Sequence, residues 1–594
     1  MRVWAPGATR LEVVLDAGSR PLVRMDGGWW VDTEAMEPGT RYRVSVDGGE
    51  ALADPRSGWQ PDGVDGPSAV VDHTAFAWSD RAWTGPVPLA SAVFYEIHVG
   101  TFSAEGTFDG VSAHLAELKE LGVTHLELMP VAEFPGERGW GYDGVLLYAP
   151  HHAYGGPDGL KRLVDACHGA GLAVVLDVVY NHLGPDGNHL AEFGPYFTSR
   201  YATPWGDAVN LDGAGSDGVR RFFVDNALMW LRDYHVDALR LDAVHALLDT
   251  SATHLLEQLA VEVAALSGHL ARGLQLVAES DLNDPRAVAR REVGGYGMDG
   301  QWSDDFHHAL HAVVTGEREG YYADFGSLSQ LATALRRAWV YAGEYSPHRG
   351  RVHGRPPVGI PGWRFLGYLQ NHDQIGNRAM GDRVAAAVPA DRLFAAAALV
   401  ACAPFTPMLF MGEEWGTRTP FPYFVDHTDP GLAAAVREGR RREFAAFGWA
   451  PESIPDPQDP DTAAAAVLDR SEIGRSPHRD LREWWRALLA LRRRCPELTD
   501  GRLGSVDVAI DEAAGWLVLR RGAIAVGVNF GGAATEVPVG AGRIVLARRS
   551  GEGAEADTRP RTASRVHLEP DGVVIVEGTT GGPASAASAA ATPS

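Results

Sequence analysis

Lysine is almost missing from this 594-residue chain: Lys119 and Lys161 are the only two, and arginine supplies the rest of the 53 basic residues. Codon bias accounts for this more readily than chemistry. Positive charge is short overall, since 77 acidic residues leave a formal charge of -24. That balance argues against nucleic acid and anionic membrane surfaces as partners, because both require a basic field. Cysteine is scarce too. Cys167, Cys402 and Cys495 are odd in number and far apart, which excludes a disulfide framework and any cysteine metal-ligand spacing, and suits a reducing compartment. No run is long and apolar enough to span a bilayer, and Met1-Arg-Val-Trp-Ala-Pro6 lacks the apolar centre of a signal peptide. The expected location is the cytoplasm, and the expected ligand is neutral.

Apolar material is plentiful. At 45% hydrophobic content the chain can bury one large core and still furnish smaller domains at either end. Over residues 1–85, short β-prone runs such as Leu11-Glu-Val-Val-Leu15 and Tyr42-Arg-Val-Ser-Val46 alternate with Gly-rich turn signals, which predicts a small β-sandwich. Gly85-Pro-Val-Pro88 reads as a linker. Over 90–495 the rhythm becomes strand, helix, strand. Ala92–His98, Thr124–Met129, Leu172–Leu176, Val236–Leu241, Leu274–Ala278, Arg364–Leu369 and Pro407–Met411 are apolar runs, separated by stretches of helical periodicity such as Val111, Leu115, Leu118 and Leu121. Apolar strands with helical crossovers imply a parallel sheet covered on both faces, and the length suits an α/β fold of the (β/α)8 TIM barrel type. Short strands return over 500–577 as a C-terminal β-sandwich. The Gly, Ala, Ser, Thr and Pro residues of 578–594 predict a disordered tail.

In a β/α barrel, chemistry sits at the C-terminal ends of the strands. Polar groups collect at those ends here: Asp177-Val-Val-Tyr-Asn-His182, Arg240-Leu-Asp242, Glu279-Ser280 and Gln370-Asn-His-Asp373. Period-two alternation puts Ala238, Arg240 and Asp242 on one strand face and Leu239 and Leu241 on the other, so an ion pair is expected where apolar side chains would be usual. Alone, each acid reads as a helix cap or a structural ion pair. Together they supply what acetal cleavage needs: an ionised carboxylate, a protonated carboxylic acid and a stabiliser of positive charge.

These four strand ends resemble the conserved regions of the α-amylase superfamily, glycoside hydrolase family thirteen. The resemblance implies Asp242 as nucleophile, Glu279 as general acid/base and Asp373 as the residue that steadies the transition state. It further implies that Arg240 holds Asp242 ionised, that His182 and His372 bond sugar hydroxyls, that Tyr142 stacks on the sugar ring, and that Asp177 braces the site from beneath. His245, in the same strand-four motif, is included among the substrate contacts, and Trp302 is a second candidate platform for the sugar. Within the superfamily, Gln301-Trp-Ser-Asp-Asp-Phe-His-His308, Asn371-His-Asp-Gln-Ile-Gly-Asn-Arg378 and the segment 438–448 resemble the hydrolases that release trehalose from maltooligosyltrehalose. That likeness implies an α-1,4 cut beside a terminal trehalose and a functional pairing with a maltooligosyltrehalose synthase. Asp304, Asp305, His307 and Glu413, with Trp415, are then candidates for the acceptor side. A glycogen branching enzyme is the alternative, although branching enzymes tend to carry glutamate where this chain has Gln374; a glucan-binding barrel without catalysis is the third. No cofactor is implied. The acidic loop that holds calcium in many amylases is not evident after the third strand, so no metal is expected.

Overall fold

The computed structural model describes residues 1–445, 454–548, 560–561 and 564–578. The tail expected over 578–594 lies outside these residues apart from Gly578, as do 446–448 of the 438–448 motif. Eight strands form the centre: β1 Phe94–Ile97, β2 His125–Leu128, β3 Ala173–Val178, β4 Ala238–Leu241, β5 Gln275–Ala278, β6 Gly300–Trp302, β7 Phe365–Gly367 and β8 Thr406–Phe410. Each pairs in parallel with the next, and β8 closes on β1. Every residue of these strands is buried, because helices cover the outside and side chains fill the inside.

The surrounding helices include α1 Leu115–Leu121, α2 Gly156–Ala170, α3 Ser216–Asp233, α4 Leu255–Leu270, α5 Asp304–Thr315, α6 Leu328–Arg337, α7 Ala390–Cys402 and α8 His478–Arg494. Their ends follow local chemistry. Pro157 occupies the first turn of α2, and Gly171, at φ 73°, caps its end; Ser327 and Gln330 form a reciprocal cap at the start of α6. The periodicity that reads as one helix from Val111 to Leu121 is two helices, Phe108–Ser112 and α1, because His114 leaves helical geometry between them.

Two β-rich domains flank the barrel. The N-terminal one has a three-stranded sheet that includes Arg2–Trp4 and a five-stranded sheet built on Leu11–Leu15 and Arg41–Val46. Arg56 ties it to α3 through a 2.9 Å bond to Asp225. In the C-terminal domain a six-stranded sheet packs on the pair Thr535–Val537 and Val566–Leu568 through Val518, Ile544, Val537 and Leu568. Glu512 there accepts hydrogen bonds from the first amides of α6, and Asp571 pairs with Arg392 of α7.

The predicted alternation on β4 places Leu239 and Leu241 outward in the main core, and Ala238 inward with Phe94, Val175, Val277, Trp302, Leu366 and Met408. Arg240 lies on the same inward face, its guanidinium carbon 4.3 Å from the centroid of the Trp302 ring. Trp302 therefore belongs to β6 itself, is only 1% exposed, and cannot stack on a sugar. The expected platform is instead the floor beneath a buried cation. Trp302→Ala should cost about 3–5 kcal/mol in denaturant unfolding, as for other buried large-to-small changes. A cost near zero would return the ring to a ligand-facing role.

Candidate active site

The site is assembled around one guanidinium. Register pairs Asp177 of β3 with Arg240 of β4, so the two side chains enter the barrel side by side. Arg240 Nη1 donates to Asp177 Oδ2 at 2.7 Å and to Asp242 Oδ1 at 2.9 Å, while Nη2 lies 3.0 Å from Glu279 Oε2. A buried arginine without such partners would be strongly disfavoured, and three carboxylates on one guanidinium remove that penalty. Asn181 donates to the second oxygen of Asp242 at 2.7 Å, which fixes the carboxylate from the other side.

The turn after Asp242 is strained. Ala243 sits at φ 39°, ψ 53°, a left-handed conformation that costs a residue with a side chain roughly 1–2 kcal/mol. The strain directs the Ala243 amide at Glu279 Oε2, 2.7 Å away. Burial, and then the negative charges of Asp242, Asp373 and Asp304, drive the Glu279 carboxyl well above the usual range despite Arg240. Burial likewise lifts Asp177 to about 6 against the pull of Arg240, and Asp304 to about 7.

A second chain of bonds enters from β1 and the loop after β2. Tyr142 O–H lies 2.6 Å from Asp177 Oδ2 and 2.8 Å from His372 Nε2, and its ring stacks on the His372 ring at 5.2 Å. Glu96 on β1 bonds both the Nδ1 and the backbone amide of His372. Burial opposes a charge on His372, but Glu96 outweighs it and holds the imidazole above its ordinary pKa. His182 bonds Asn181 Oδ1 at 2.6 Å and the Tyr142 carbonyl at 3.0 Å, whereas Asp373 accepts from Asn377 at 2.7 Å.

The structure thus brings together Asp177, Asp242, Glu279, Asp304, Asp373, Arg240, Tyr142, His182 and His372. It does not do so for the other candidates. Asp305 is buried, with Oδ2 accepting from the amides of Val340 and Tyr341 and from Asn283; it anchors a loop rather than a ligand. His307 is enclosed by Tyr368 and Tyr322 and kept neutral by burial. Glu413 is buried behind β8, and burial pushes its carboxyl to about 8; Trp415 is equally enclosed, bonding Glu472. His245 is exposed, 3.9 Å from Asp281 and outside the bonded cluster. Two contributors escaped the sequence reading: Glu96, which a charge on the inward face of β1 could have signalled, and Trp205. The Trp205 ring is 52% exposed and stacks on His182 at 4.2 Å, from a hairpin that no strand-end motif marks.

A closed eight-stranded barrel with this acid cluster at its C-terminal mouth defines the α-amylase class of glycosidases. The profile of the alpha amylase catalytic domain matches residues 72–202, and that of a domain of unknown function, DUF3459, matches 501–575. A malto-oligosyltrehalose trehalohydrolase of Arthrobacter ramosus is 50% identical over 580 residues, covering 97% of this chain and 98% of its own. The chain belongs to the malto-oligosyltrehalose trehalohydrolase family. A 1.4 Å crystal structure of a protein from Salmonella typhimurium is similar at TM-score 0.88 and 36% identity, over 98% of this chain and 97% of that one. A 1,4-alpha-glucan branching enzyme of Pseudoalteromonas atlantica is 34% identical over 275 residues, only 41% of this chain and 38% of its own.

Tyr142→Phe removes the hydroxyl that joins Asp177 to His372 and keeps the ring. Its kcat should fall roughly 10-fold, equivalent to about 1.4 kcal/mol, with little change in melting temperature. A large fall in melting temperature with kcat retained would make the hydroxyl structural.

Proposed function

We propose that the chain hydrolyses the α-1,4 bond beside the terminal trehalose of maltooligosyltrehalose with retention of configuration, releasing trehalose. The observation that carries the mechanism is the docking of Asp242 and Glu279 on the two terminal nitrogens of one guanidinium. It holds two carboxyls close together, as retaining glycosidases need at about 5–5.5 Å, where inverting enzymes need about 6.5–9.5 Å.

In the first step an Asp242 oxygen attacks the anomeric carbon as the bond to the trehalose oxygen breaks, and Glu279 gives that oxygen its proton. In the second step Glu279 takes a proton from water, which attacks the same carbon and frees Asp242. Arg240 and Asn181 hold one Asp242 oxygen each and so keep the carboxylate aimed. Asp373, His182, His372 and Tyr142 contact the sugar being cleaved, and Asp304, the one acceptor-side candidate at the mouth, faces the trehalose. The malto-oligosyltrehalose names of full-length relatives support this substrate over a branching reaction, for which the likeness covers less than half the chain.

Among the described residues no helix is long and apolar enough to cross a membrane, and all three cysteines are buried and unpaired. The cysteines suit a reducing compartment such as the cytoplasm, and the proposed substrate calls for a synthase that makes the trehalose-ended glucan.

With purified enzyme, maltotriosyltrehalose should be cleaved far faster than maltopentaose, trehalose being the product seen by chromatography. Equal rates, or a branched polymer from amylose, would overturn the substrate. The mechanism needs Glu279 protonated, so activity should fall as pH rises through its raised pKa. Glu279→Gln should lower kcat by about 10²–10⁴ and remove that alkaline limb. Near-normal turnover of this variant would reassign the acid.

A further inference from the structure

After β2 the chain forms a two-stranded ribbon, Ala132–Glu133 against Leu146–Pro150, followed at once by His151 and His152. Glu133 Oε1 lies 2.6 Å from His152 Nδ1 and 3.3 Å from His151 Nδ1, and the three ligand atoms all fall within 4.8 Å of one another. We propose that Glu133, His151 and His152 form a binding site for one divalent transition-metal ion, with zinc the best match.

The first ground is an orphan. The side chains of Glu133 and His151 are 0% exposed, and neither ring nitrogen of His151 has a hydrogen-bond partner. A fully buried imidazole normally satisfies at least one nitrogen, so Nδ1, 3.3 Å from Glu133 Oε1 without hydrogen-bond geometry, is placed to share a ligand with that oxygen and with His152. Phe134, stacked on the His151 ring at 3.7 Å, fixes its direction.

The second ground is the outer contact of His152. With Nδ1 turned inward, its Nε2 lies 3.2 Å from Glu137 Oε1. A carboxylate on the far nitrogen of a ligating histidine is the recurrent way to orient such a ligand and raise its basicity. Two imidazoles and a carboxylate, with a fourth position for water, suit tetrahedral zinc at about 2.0–2.2 Å; calcium and magnesium would want oxygen ligands throughout. Glu133 and Glu137 together balance the charge of a divalent ion. The His152 side chain is 17% exposed, which gives an access path.

The ion would act as a clip. The segment from Glu133 to His152 carries Tyr142, whose hydroxyl reaches Asp177 and His372, so tying the two ends of that excursion stabilises a loop of the active site without entering the chemistry.

The test uses the full chain after dialysis against a chelator. Calorimetric titration with zinc chloride should show about one ion per chain, with a rise in melting temperature, and cobalt(II) should give the intense visible bands of tetrahedral coordination. His152→Gln and Glu133→Gln should abolish binding and the rise while leaving turnover of the metal-free enzyme intact. Glu137→Gln, at an exposed carboxylate, should weaken binding about 10–100-fold. If Glu133→Gln does not fold, His152→Gln decides alone. Wild-type enzyme that takes up no zinc, or equal binding by wild type and His152→Gln, would overturn the site.

Discussion

A single buried cation sets the terms for the rest of the molecule. Arg240 is enclosed by the barrel, with Trp302 below it and carboxylates at its rim. Stranding a charge inside a protein by removing one partner of such a cluster costs about 3–5 kcal/mol, so the acids and the arginine must be delivered together. Delivery depends on register. Asp177 stands beside Arg240 because β3 and β4 pair at those residues, and a slip of one position would turn Arg240 into the helix layer and Leu239 or Leu241 into the barrel. The apolar outward side chains of β4 thus protect the geometry of its polar inward ones.

The framework was readable because it depends on period. Alternation on β4, helical spacing around Leu115, and acids at the ends of apolar runs all follow from local chemistry. What was hidden has one of two causes. The strand β6 is only Gly300–Trp302, too short and too mixed to show a period, so no apolar run marked it and Trp302 read as a platform for the sugar. Other contributors are joined only by the closure of the barrel: Glu96 and His372 meet although 276 positions separate them, since β7 and β1 both end at the same mouth. No local pattern carries that pairing.

The acceptor-side candidates divide for a related reason. Asp304 and Asp305 are neighbours in sequence, but successive side chains on a helix diverge by about 100°. Asp304 meets the Tyr368 hydroxyl at the mouth, whereas Asp305 turns to the amides of Val340 and Tyr341. His307 returns to the Asp304 side one turn later, only to be covered by aromatic rings. A strand-end motif therefore marks a neighbourhood, and the first helical turn divides it into ligand-facing and wall-facing residues.

Burial, followed by like charge, keeps the Glu279 carboxyl protonated within this strongly acidic mouth. Glu279 shares its field with Asp242, Asp373 and Asp304, and burial together with these charges outweighs the guanidinium and the Ala243 amide that favour its ionised form. Asp242 is held by Arg240 on one oxygen and by the Asn181 amide group on the other. Glu279 has a backbone amide from a strained turn and three like charges, and burial adds to the cost of ionising it. Protons in such a cluster distribute over coupled sites, and the titration seen from outside belongs to the group as a whole. Ionising Glu279 meets the cost of burial and then the repulsion of the surrounding acids, which together outweigh its donors. Nucleophile and acid are thereby set apart by their surroundings, while the arginine they share keeps them within reach of one glycosidic bond.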